Sequence, residues 1–265
     1  MTRTAIIAGA GRLPAAVAGA LTAPLVCALA GFQPDGLVPD LVFRIERLVP
    51  FFGALEDAGV STVTFAGAVQ RPRLDPALFD ASTAQLVPRL MAAMAQGDDA
   101  TLRAVIGLFE EAGFAVAGTG QIAPDLVPGA GVLCGTPTAQ DKADATRAAA
   151  IVQALGAVDV GQGCVVAQGL CLAVEALPGT DAMLRGLTTM PSALRPPSTR
   201  GLFYKAPKPG QDVRVDLPTL GPETVARVVE AGLGGIAWQA GGVICLDRSA
   251  MIAAASDAGL FLWSR

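Results

Sequence analysis

Short apolar segments alternate with segments of helical periodicity along most of the chain. Residues 4–8, 25–29 and 60–66 are apolar and have the length of buried strands. Residues 14–21 lie between the first two and begin with a proline, which suits the first turn of a helix. Residues 98–112 carry apolar side chains at helical spacing. This alternation predicts an α/β protein with a Rossmann-like parallel sheet in its N-terminal part.

The C-terminal part combines helices with strands that follow each other closely. Residues 164–167 and 170–175 are apolar and separated by a two-residue turn, a pattern typical of a hairpin. Residues 127–141 are rich in glycine, proline and threonine and form the best linker candidate. We therefore predict a Rossmann-like domain over 1–134 and a second α/β domain with a mixed sheet over 135–265.

The composition narrows the chemistry that the chain can perform. Its 265 residues are 52% hydrophobic and 16% charged, which excludes intrinsic disorder. The net charge of −4 argues against nucleic acid as a partner. Because the chain has no histidine, Ser-His-Asp triads and histidine-ligated zinc are excluded. Catalysis must then use aspartate, glutamate, lysine, arginine, cysteine, tyrosine or a bound metal.

Three features bear on the compartment. Residues 13–34 carry no charge, but Pro14, Pro24 and several small residues favour a helix, a break and a buried strand over a membrane span. The N-terminus shows no signal-peptide pattern. The five cysteines form no C-x-x-C pair, which predicts small buried side chains in a reducing compartment. The expected location is the cytoplasm.

A glycine-rich turn follows the first strand and points backbone N–H groups to a place where phosphate can bind. Its match to G-x-G-x-x-G is incomplete because Pro14 replaces the third glycine, and no acidic residue ends the second strand. This disfavours nicotinamide dinucleotides but leaves open another phosphate ligand, or a tight turn only. The loop after residues 60–66 and the helix start at residue 98 add charged candidates, although Asp98 also suits a helix N-cap. The candidates of this half are Gly9, Gly11, Arg12, Leu13, Arg71, Asp98 and Asp99.

The most informative segment lies near residue 212. Asp212, Arg214 and Asp216 alternate with apolar residues, and this period of two predicts a strand with the three charges on one face. Two carboxylates beside a guanidinium can hold a divalent cation and a phosphate together. A solvated sheet face would show the same pattern. Lys205 and Lys208 add to the charge density within a weakly charged chain, which favours a functional role.

Six motifs carry a family resemblance: I-I-A-G-A-G-R-L-P at 6–14, A-G-A-V-Q-R-P at 66–72, G-D-D-A at 97–100, D-V-G-Q at 159–162, V-E-A-L-P-G-T-D-A-M-L at 174–184 and K-A-P-K-P-G-Q-D-V-R-V-D-L-P-T-L-G-P-E-T-V at 205–225. With them, the chain resembles the LpxI-type UDP-2,3-diacylglucosamine pyrophosphatases over nearly its whole length. The last two motifs are the most specific. One departure is Leu177-Pro178, which stands where the family pattern leads us to expect an acidic residue before Gly-Thr-Asp.

The resemblance implies a Mg²⁺-dependent hydrolase of lipid A biosynthesis that cleaves the pyrophosphate of UDP-2,3-diacylglucosamine into UMP and 2,3-diacylglucosamine 1-phosphate (lipid X). It also implies a cytoplasmic enzyme, peripheral to the cytoplasmic face of the inner membrane, with two domains that close over the substrate. A homodimer is expected from the frequency of dimers and the family likeness.

The resemblance also implies that the domain over 1–134 binds the nucleotide and that the domain over 135–265 is catalytic, and it assigns roles to single residues. Asp212 and Asp216 would bind the metal or activate water, and the turn at 9–14 would face the nucleotide. The phosphate clamps would be Lys205, Lys208, Arg214 and Arg185. Further substrate-binding candidates from the matching motifs are Gln162, Gly179, Thr180 and Asp181.

Two other functions remain as alternatives. A dinucleotide-dependent oxidoreductase would use the first βαβ unit, although the missing third glycine and missing acidic residue weaken it. A non-catalytic module that binds a nucleotide or lipid would retain the substrate intact, whereas the hydrolase would release UMP.

Overall fold

The computed structural model describes residues 3–69, 74–197 and 200–265; the side chains of Asp98 and Asp99 lie outside the description. The chain divides into two compact units, Met1–Pro124 and Asp125–Arg265. Each unit contains its own sheet and its own apolar core.

The described part of the first unit has a five-stranded sheet, in which every neighbouring pair is parallel. Its strands are β1 (Arg3–Ala8), β2 (Leu25–Leu29), β3 (Leu41–Phe43), β4 (Val60–Ala66) and β5 (Ala115–Val116). Its helices are α1 (Leu13–Ala18), α2 (Leu48–Asp57), α3 (Ala81–Ala84), α4 (Val87–Met94), α5 (Asp98–Glu111) and α6 (Thr119–Ile122). The strand order β3-β2-β1-β4-β5 confirms the predicted Rossmann-like sheet.

Aromatic side chains pack α2 and α5 in the core of this unit. Phe51 of α2 stacks on Phe43 of β3 with ring centroids 4.0 Å apart, and Phe52 meets Phe109 of α5 edge to face at 4.9 Å. Such pairs add to the free energy gained by burying apolar area. This packing holds both helices against the sheet.

The second unit has a mixed sheet of six strands within its described residues, as predicted, in the order β6-β13-β11-β9-β7-β8. The strands and helices of this unit are β6 (Gly131–Cys134), α7 (Ala139–Gly156), β7 (Gly163–Ala167), β8 (Leu170–Val174), α8 (Gly179–Thr188), β9 (Leu202–Lys205), β10 (Thr219–Leu220), α9 (Pro222–Glu230), β11 (Gly235–Trp238), β12 (Ile244–Cys245), α10 (Arg248–Asp257) and β13 (Phe261–Ser264). Strands β9, β11 and β13 are parallel, and β6 and β7 run antiparallel to their neighbours. The predicted linker at 127–141 contains β6, which pairs with β13 inside this unit.

Strands β7 and β8 form the predicted hairpin. Asp144 of α7 is fully buried, and its carboxylate accepts hydrogen bonds from the turn N–H groups of Gln168 at 2.9 Å and Gly169 at 2.7 Å. The register shifts within the ladder, so that Leu172 of β8 is an extra residue, a β-bulge. The helix therefore fixes the turn, while the other ends of the two strands lie at the site described below.

The strand predicted around residue 212 is wrong, because residues 213–215 form a turn. The Asp212 carboxylate accepts a hydrogen bond from the N–H of Arg214 at 3.0 Å, and its carbonyl accepts from Val215 at 3.2 Å. Such Asp-centred turns compete with extended structure. Prolines at 207, 209 and 218 also remove N–H donors that a sheet would need. The alternating charges therefore do not share one strand face.

The thiols of Cys27, Cys164 and Cys245 are free and buried, as predicted, whereas Cys171 is exposed. Burial raises the pKa of Cys27 and of Cys245 to about 12, so neither is a nucleophile near neutral pH.

In the described ranges, no helix has both the length and the apolar character that crossing a bilayer requires. Residues 13–34, the uncharged segment, contain α1 and β2.

Candidate active site

Three strand ends meet at one edge of the second unit's sheet. Lys205 is the last residue of β9 and pairs with Gly163, the first residue of β7. Glu175 directly follows β8, and its N–H donates to the Gly163 carbonyl at 2.8 Å. The carboxyl ends of β9 and β8 and the start of β7 thus bring together side chains that are distant in sequence. Ligands commonly bind at such strand ends in α/β proteins.

The Lys205 side chain is buried among polar partners. Its Nζ donates a hydrogen bond to Thr180 Oγ1 at 2.5 Å and lies 3.5 Å from Glu175 Oε2. It also lies 5.9 Å from the centre of the Phe203 ring, within cation–π range. Thr180 in turn donates to Glu175 Oε2 at 2.9 Å. The three polar side chains form a closed triangle of contacts.

Burial lowers the pKa of Lys205, because a charged ammonium loses hydration. The attraction of Glu175, together with its hydrogen bond, and of Asp181 and Asp216 raises the same pKa and limits the shift. Several carboxylates therefore act on one buried cation.

Two glycines make room for Glu175. A Cβ on Gly161 would lie 2.0 Å from the Glu175 carbonyl oxygen, and one on Gly163 would lie 2.7 Å from Glu175 Oε2. Real side chains do not approach this closely, so alanine at either position would displace the glutamate or its backbone. The D-V-G-Q motif therefore contributes its glycine to the shape of the site.

Helix α8 brings further predicted residues to this edge. It begins at Gly179, which has a φ of +83° that favours glycine. Thr180 contacts Lys205, and Asp181 acts on the same lysine through its charge. Arg185 is exposed one turn farther along, on the face of Asp181.

The loop after β9 is held by the D-V-G-Q motif. Lys208 Nζ forms an ion pair with Asp159 at 2.5 Å, and Gln162 Nε2 donates to Gln211 Oε1 at 2.9 Å. Gln211 Nε2 donates to Asp216 Oδ2. Gln162, predicted to bind substrate, therefore contacts the loop that carries Asp216.

Asp212 and Arg214 contact each other. Arg214 Nη2 lies 2.7 Å from Asp212 Oδ2, and Arg214 Nε donates to Asp212 Oδ1 at 3.0 Å. The pair is partly buried, and the contacts fix the guanidinium over the turn. Asp212 Oδ1 also accepts from the backbone N–H of Arg214, and Oδ2 also accepts from Arg214 Nε at 3.2 Å, so both carboxylate oxygens are held by the arginine.

The predicted turn after β1 lies in the first unit. A Cβ on Gly9 would lie 2.5 Å from the Ala68 carbonyl oxygen, so Gly9 permits two loops to pack closely. Gly11 has a φ of +90° and open space at its Cβ position. Arg12 is exposed, and Leu13 begins α1.

For three other predicted residues of this unit, the structure does not describe the side chain. Arg71 lies outside the described residues. Asp98 and Asp99 begin α5, where Gly97 rather than Asp98 is the N-cap residue.

The donor chemistry fits a hard divalent cation. Within residues 3–69, 74–197 and 200–265, no group of three or more His, Cys, Asp or Glu side chains could hold a metal ion. Mg²⁺ does not need such a cage, because it binds one or two carboxylates and completes its shell with water and substrate phosphate. The N–H of Asp216 donates to the Asp212 carbonyl at 3.3 Å, so one turn carries both carboxylates. These two residues are the ones that would hold the ion.

Three polar residues of this site, Asp159, Glu175 and Gln211, were not among the predicted site residues. Glu175 and Gln211 lie in the two most specific motifs and Asp159 lies in D-V-G-Q, yet none of them stands out by charge density or periodicity. The tightly spaced Gly161 and Gly163 were the available signal, since they indicate a close approach at that point.

The fold and the site define a two-unit α/β protein whose second unit gathers lysines and carboxylates at the carboxyl ends of its strands. The model of the LpxI N-terminal domain matches residues 3–126, and that of the LpxI C-terminal domain matches residues 129–263. The chain belongs to the LpxI family. A Caulobacter vibrioides protein named UDP-2,3-diacylglucosamine pyrophosphatase LpxI is 40% identical over 271 residues, covering 99% of this chain and 97% of that protein.

Proposed function

We propose that this chain hydrolyses the pyrophosphate bond of UDP-2,3-diacylglucosamine to UMP and 2,3-diacylglucosamine 1-phosphate, in a Mg²⁺-dependent step of lipid A biosynthesis. The observation that carries the proposal is the 40% identity over nearly the full length of both chains to a relative named for this activity. Such a relation favours the hydrolase over a dinucleotide-dependent oxidoreductase or a non-catalytic module.

The charges of the second unit suit this substrate. A pyrophosphate needs cations at its oxygens, and Lys205, Lys208 and Arg214 supply them from one strand end and the loop after it. Mg²⁺, when bound, adds positive charge at the phosphates and polarises the phosphorus. Asp212 and Asp216 would hold it, and they are also the acids available to orient a water molecule. Histidine is not required, because phosphoryl transfer depends on charge neutralisation and alignment.

Three further features complete the proposal. The glycine-rich turn at residues 9–14 faces the nucleotide, with Gly11 as the residue that permits close approach. The protein works in the cytoplasm at the inner-membrane surface, where its diacyl substrate is found. It acts as a homodimer, the commonest oligomer among soluble proteins.

Substitution of Asp216 tests the catalytic role. Asp216→Ala should abolish UMP release and leave binding of UDP-2,3-diacylglucosamine largely intact, because a contact that matters in the transition state is lost. The measurement is UMP formation beside equilibrium binding, with Asp257→Ala at the end of α10 as the matched acidic control. A near-normal kcat in Asp216→Ala would remove Asp216 from the mechanism.

Removal of divalent ions tests the metal requirement. EDTA should stop UMP release, and added Mg²⁺ should restore it, because in the proposed step the bound ion supplies positive charge at the phosphates and polarises the phosphorus. The control is the same titration of EDTA already saturated with Mg²⁺. A rate that EDTA leaves unchanged would show that hydrolysis needs no divalent ion.

A further inference from the structure

Gln211 contacts three groups through one side-chain amide. Its Oε1 accepts hydrogen bonds from Gln162 Nε2 at 2.9 Å and from the backbone N–H of Lys208 at 3.0 Å. Its Nε2 donates to Asp216 Oδ2. The amide therefore joins the strand edge, the start of the loop and the acid near its end.

The two donors on Oε1 decide which end of the amide faces Asp216. A flipped amide would point its NH₂ group at two other donors and its oxygen at a carboxylate, which would break all three hydrogen bonds. Only the orientation with Nε2 toward Asp216 satisfies every partner. The direction of the hydrogen bond to Asp216 is thus fixed by Gln162 and Lys208.

Gln162 connects this amide to the sheet. It directly precedes β7, and its carbonyl accepts a hydrogen bond from the N–H of Ala206 at 2.9 Å, which continues the ladder between β7 and β9. Its backbone is thereby held by regular structure. Asp216, in contrast, is exposed and lies in an irregular loop. The hydrogen bonds from Gln162 to Gln211 and from Gln211 to Asp216 therefore connect that loop to the ordered sheet.

We propose that Gln211, supported by Gln162, is a positioning residue that sets the orientation of the Asp216 carboxylate for hydrolysis; the inference rests on the proposed function. A neutral amide suits this task. A lysine at this point would neutralise the carboxylate, and an acid would repel it. An amide instead orients Oδ2 of Asp216 by one hydrogen bond and leaves the negative charge of Asp216 available for the reaction.

The first test compares kcat with KM for UDP-2,3-diacylglucosamine. Gln211→Glu keeps an acceptor for Gln162 and Lys208 but places a second acceptor against Asp216. We expect kcat to fall about 100-fold while KM changes by less than about threefold, because the Asp216 carboxylate, which the substitution misorients, acts in the transition state. Gln211→Leu should have a similar effect. Gln153→Glu, an exposed change on α7, is the matched control and should alter neither constant.

The second test asks whether Gln162 acts on Asp216 through Gln211. Gln162→Leu should lower kcat by about tenfold in the wild-type background and by less than about twofold in the Gln211→Leu background, because its partner is already absent. Equal losses in both backgrounds, or kcat values of the Gln211 variants within about twofold of wild type, would overturn the proposal. A role in folding only would lower Tm and leave kcat of the folded protein unchanged.

The third test does not depend on turnover. Thermal unfolding of Gln211→Leu, Asp216→Ala and the double variant measures whether the two side chains are coupled. We expect the Tm of the double variant to lie within about 1 °C of the less stable single variant. Additive Tm shifts would contradict the contact. A wild-type chain that binds the substrate but releases no UMP would refute the proposed function, and the Tm cycle would still decide whether Gln211 holds Asp216.

Discussion

Lys205 lies at the centre of the candidate site. An ammonium taken out of water loses several kcal/mol of hydration unless partners replace it. Here Glu175 and Thr180 contact Nζ directly, while Asp181 and Asp216 contribute attraction. Burial lowers the pKa of Lys205, and the surrounding acids counteract that shift, so the protonated form depends on them.

This dependence predicts a shift in the pH profile. Glu175→Gln keeps the shape of the side chain and removes the attraction that raises the pKa of Lys205. The pKa of Lys205 should then fall further, so that Lys205 loses its proton at lower pH. Because the proposed role of Lys205 requires its charge, the alkaline decline of kcat/KM should begin at lower pH in Glu175→Gln than in wild type. The measurement is kcat/KM across neutral and alkaline pH.

The matched control for this prediction is Glu230→Gln. Glu230 pairs with Arg227 at 2.8 Å on the exposed surface of α9, so its removal changes the net charge equally without affecting Lys205. The alkaline decline of kcat/KM in Glu230→Gln should coincide with that of wild type. Coinciding profiles for Glu175→Gln and wild type would mean that Glu175 does not support the charge of Lys205.

At the residue scale, charge density and periodicity have different outcomes. Lys205 and Lys208 stood out as charges in an apolar chain, and the structure places Lys205 in a cluster with Thr180 and Asp181 from a separate motif. The alternation around Arg214 led to a wrong strand, because the Asp212 side chain satisfies nearby N–H groups in a turn. A pattern of polarity does not record such local competition.

At the scale of the elements, one arginine between α8 and β9 connects the C-terminal ends of α8 and α9. Arg195 Nη1 donates to the Ala231 carbonyl at the end of α9 at 2.7 Å, and Nη2 donates to the Leu187 carbonyl in the last turn of α8. The carbonyls at a helix C-terminus lack partners within the helix and carry partial negative charge. One guanidinium thus caps two helices and ties their ends together.

Arg195→Ala should therefore destabilise the protein by about 2–3 kcal/mol, since two hydrogen bonds from a charged donor are lost. The Leu187 carbonyl keeps the N–H of Met190 at 3.1 Å, so the loss falls mainly on the Ala231 carbonyl. Urea unfolding measures the change. Arg147→Ala is the matched control, because Arg147 is exposed on α7, and its effect should stay within about 0.5 kcal/mol. Equal stability of Arg195→Ala and Arg147→Ala would show that the cap contributes nothing.

Strands were predicted best where apolar runs are bounded by turn residues. The predicted bounds 25–29 and 60–66 coincide with β2 and β4. No helix was predicted over α2, although its aromatic residues fill the core. Its start, Leu-Val-Pro-Phe-Phe, does not show helical periodicity, and tertiary packing decides its structure.

At the scale of the whole molecule, each unit has a separate core. The clusters around Phe109 in the first unit and around Trp238 and Tyr204 in the second contain residues of one unit only. A domain with its own core can fold alone. The sequence predicted two domains from composition, and the compact division falls between Pro124 and Asp125, before β6.

Residues 125–265 expressed alone should therefore fold and unfold in one cooperative transition. Far-UV circular dichroism during a thermal scan is the measurement. The matched control is the same fragment with Leu184→Asp, which buries a charge in the core and should lose the transition. A fragment without a cooperative transition would show that the second unit needs the first to fold.

The two glycines beside Glu175 have a consequence for how this protein can diverge. A methyl group at residue 161 would meet the backbone carbonyl of residue 175, which every amino acid carries, whereas one at residue 163 would meet the Glu175 carboxylate and the Phe203 ring. Loss of the acid therefore makes no room at residue 161, and at residue 163 the aromatic ring must also give way. Natural variation should therefore keep glycine at 161 whatever residue stands at 175, and alanine at 163 should occur only where both 175 and 203 have changed.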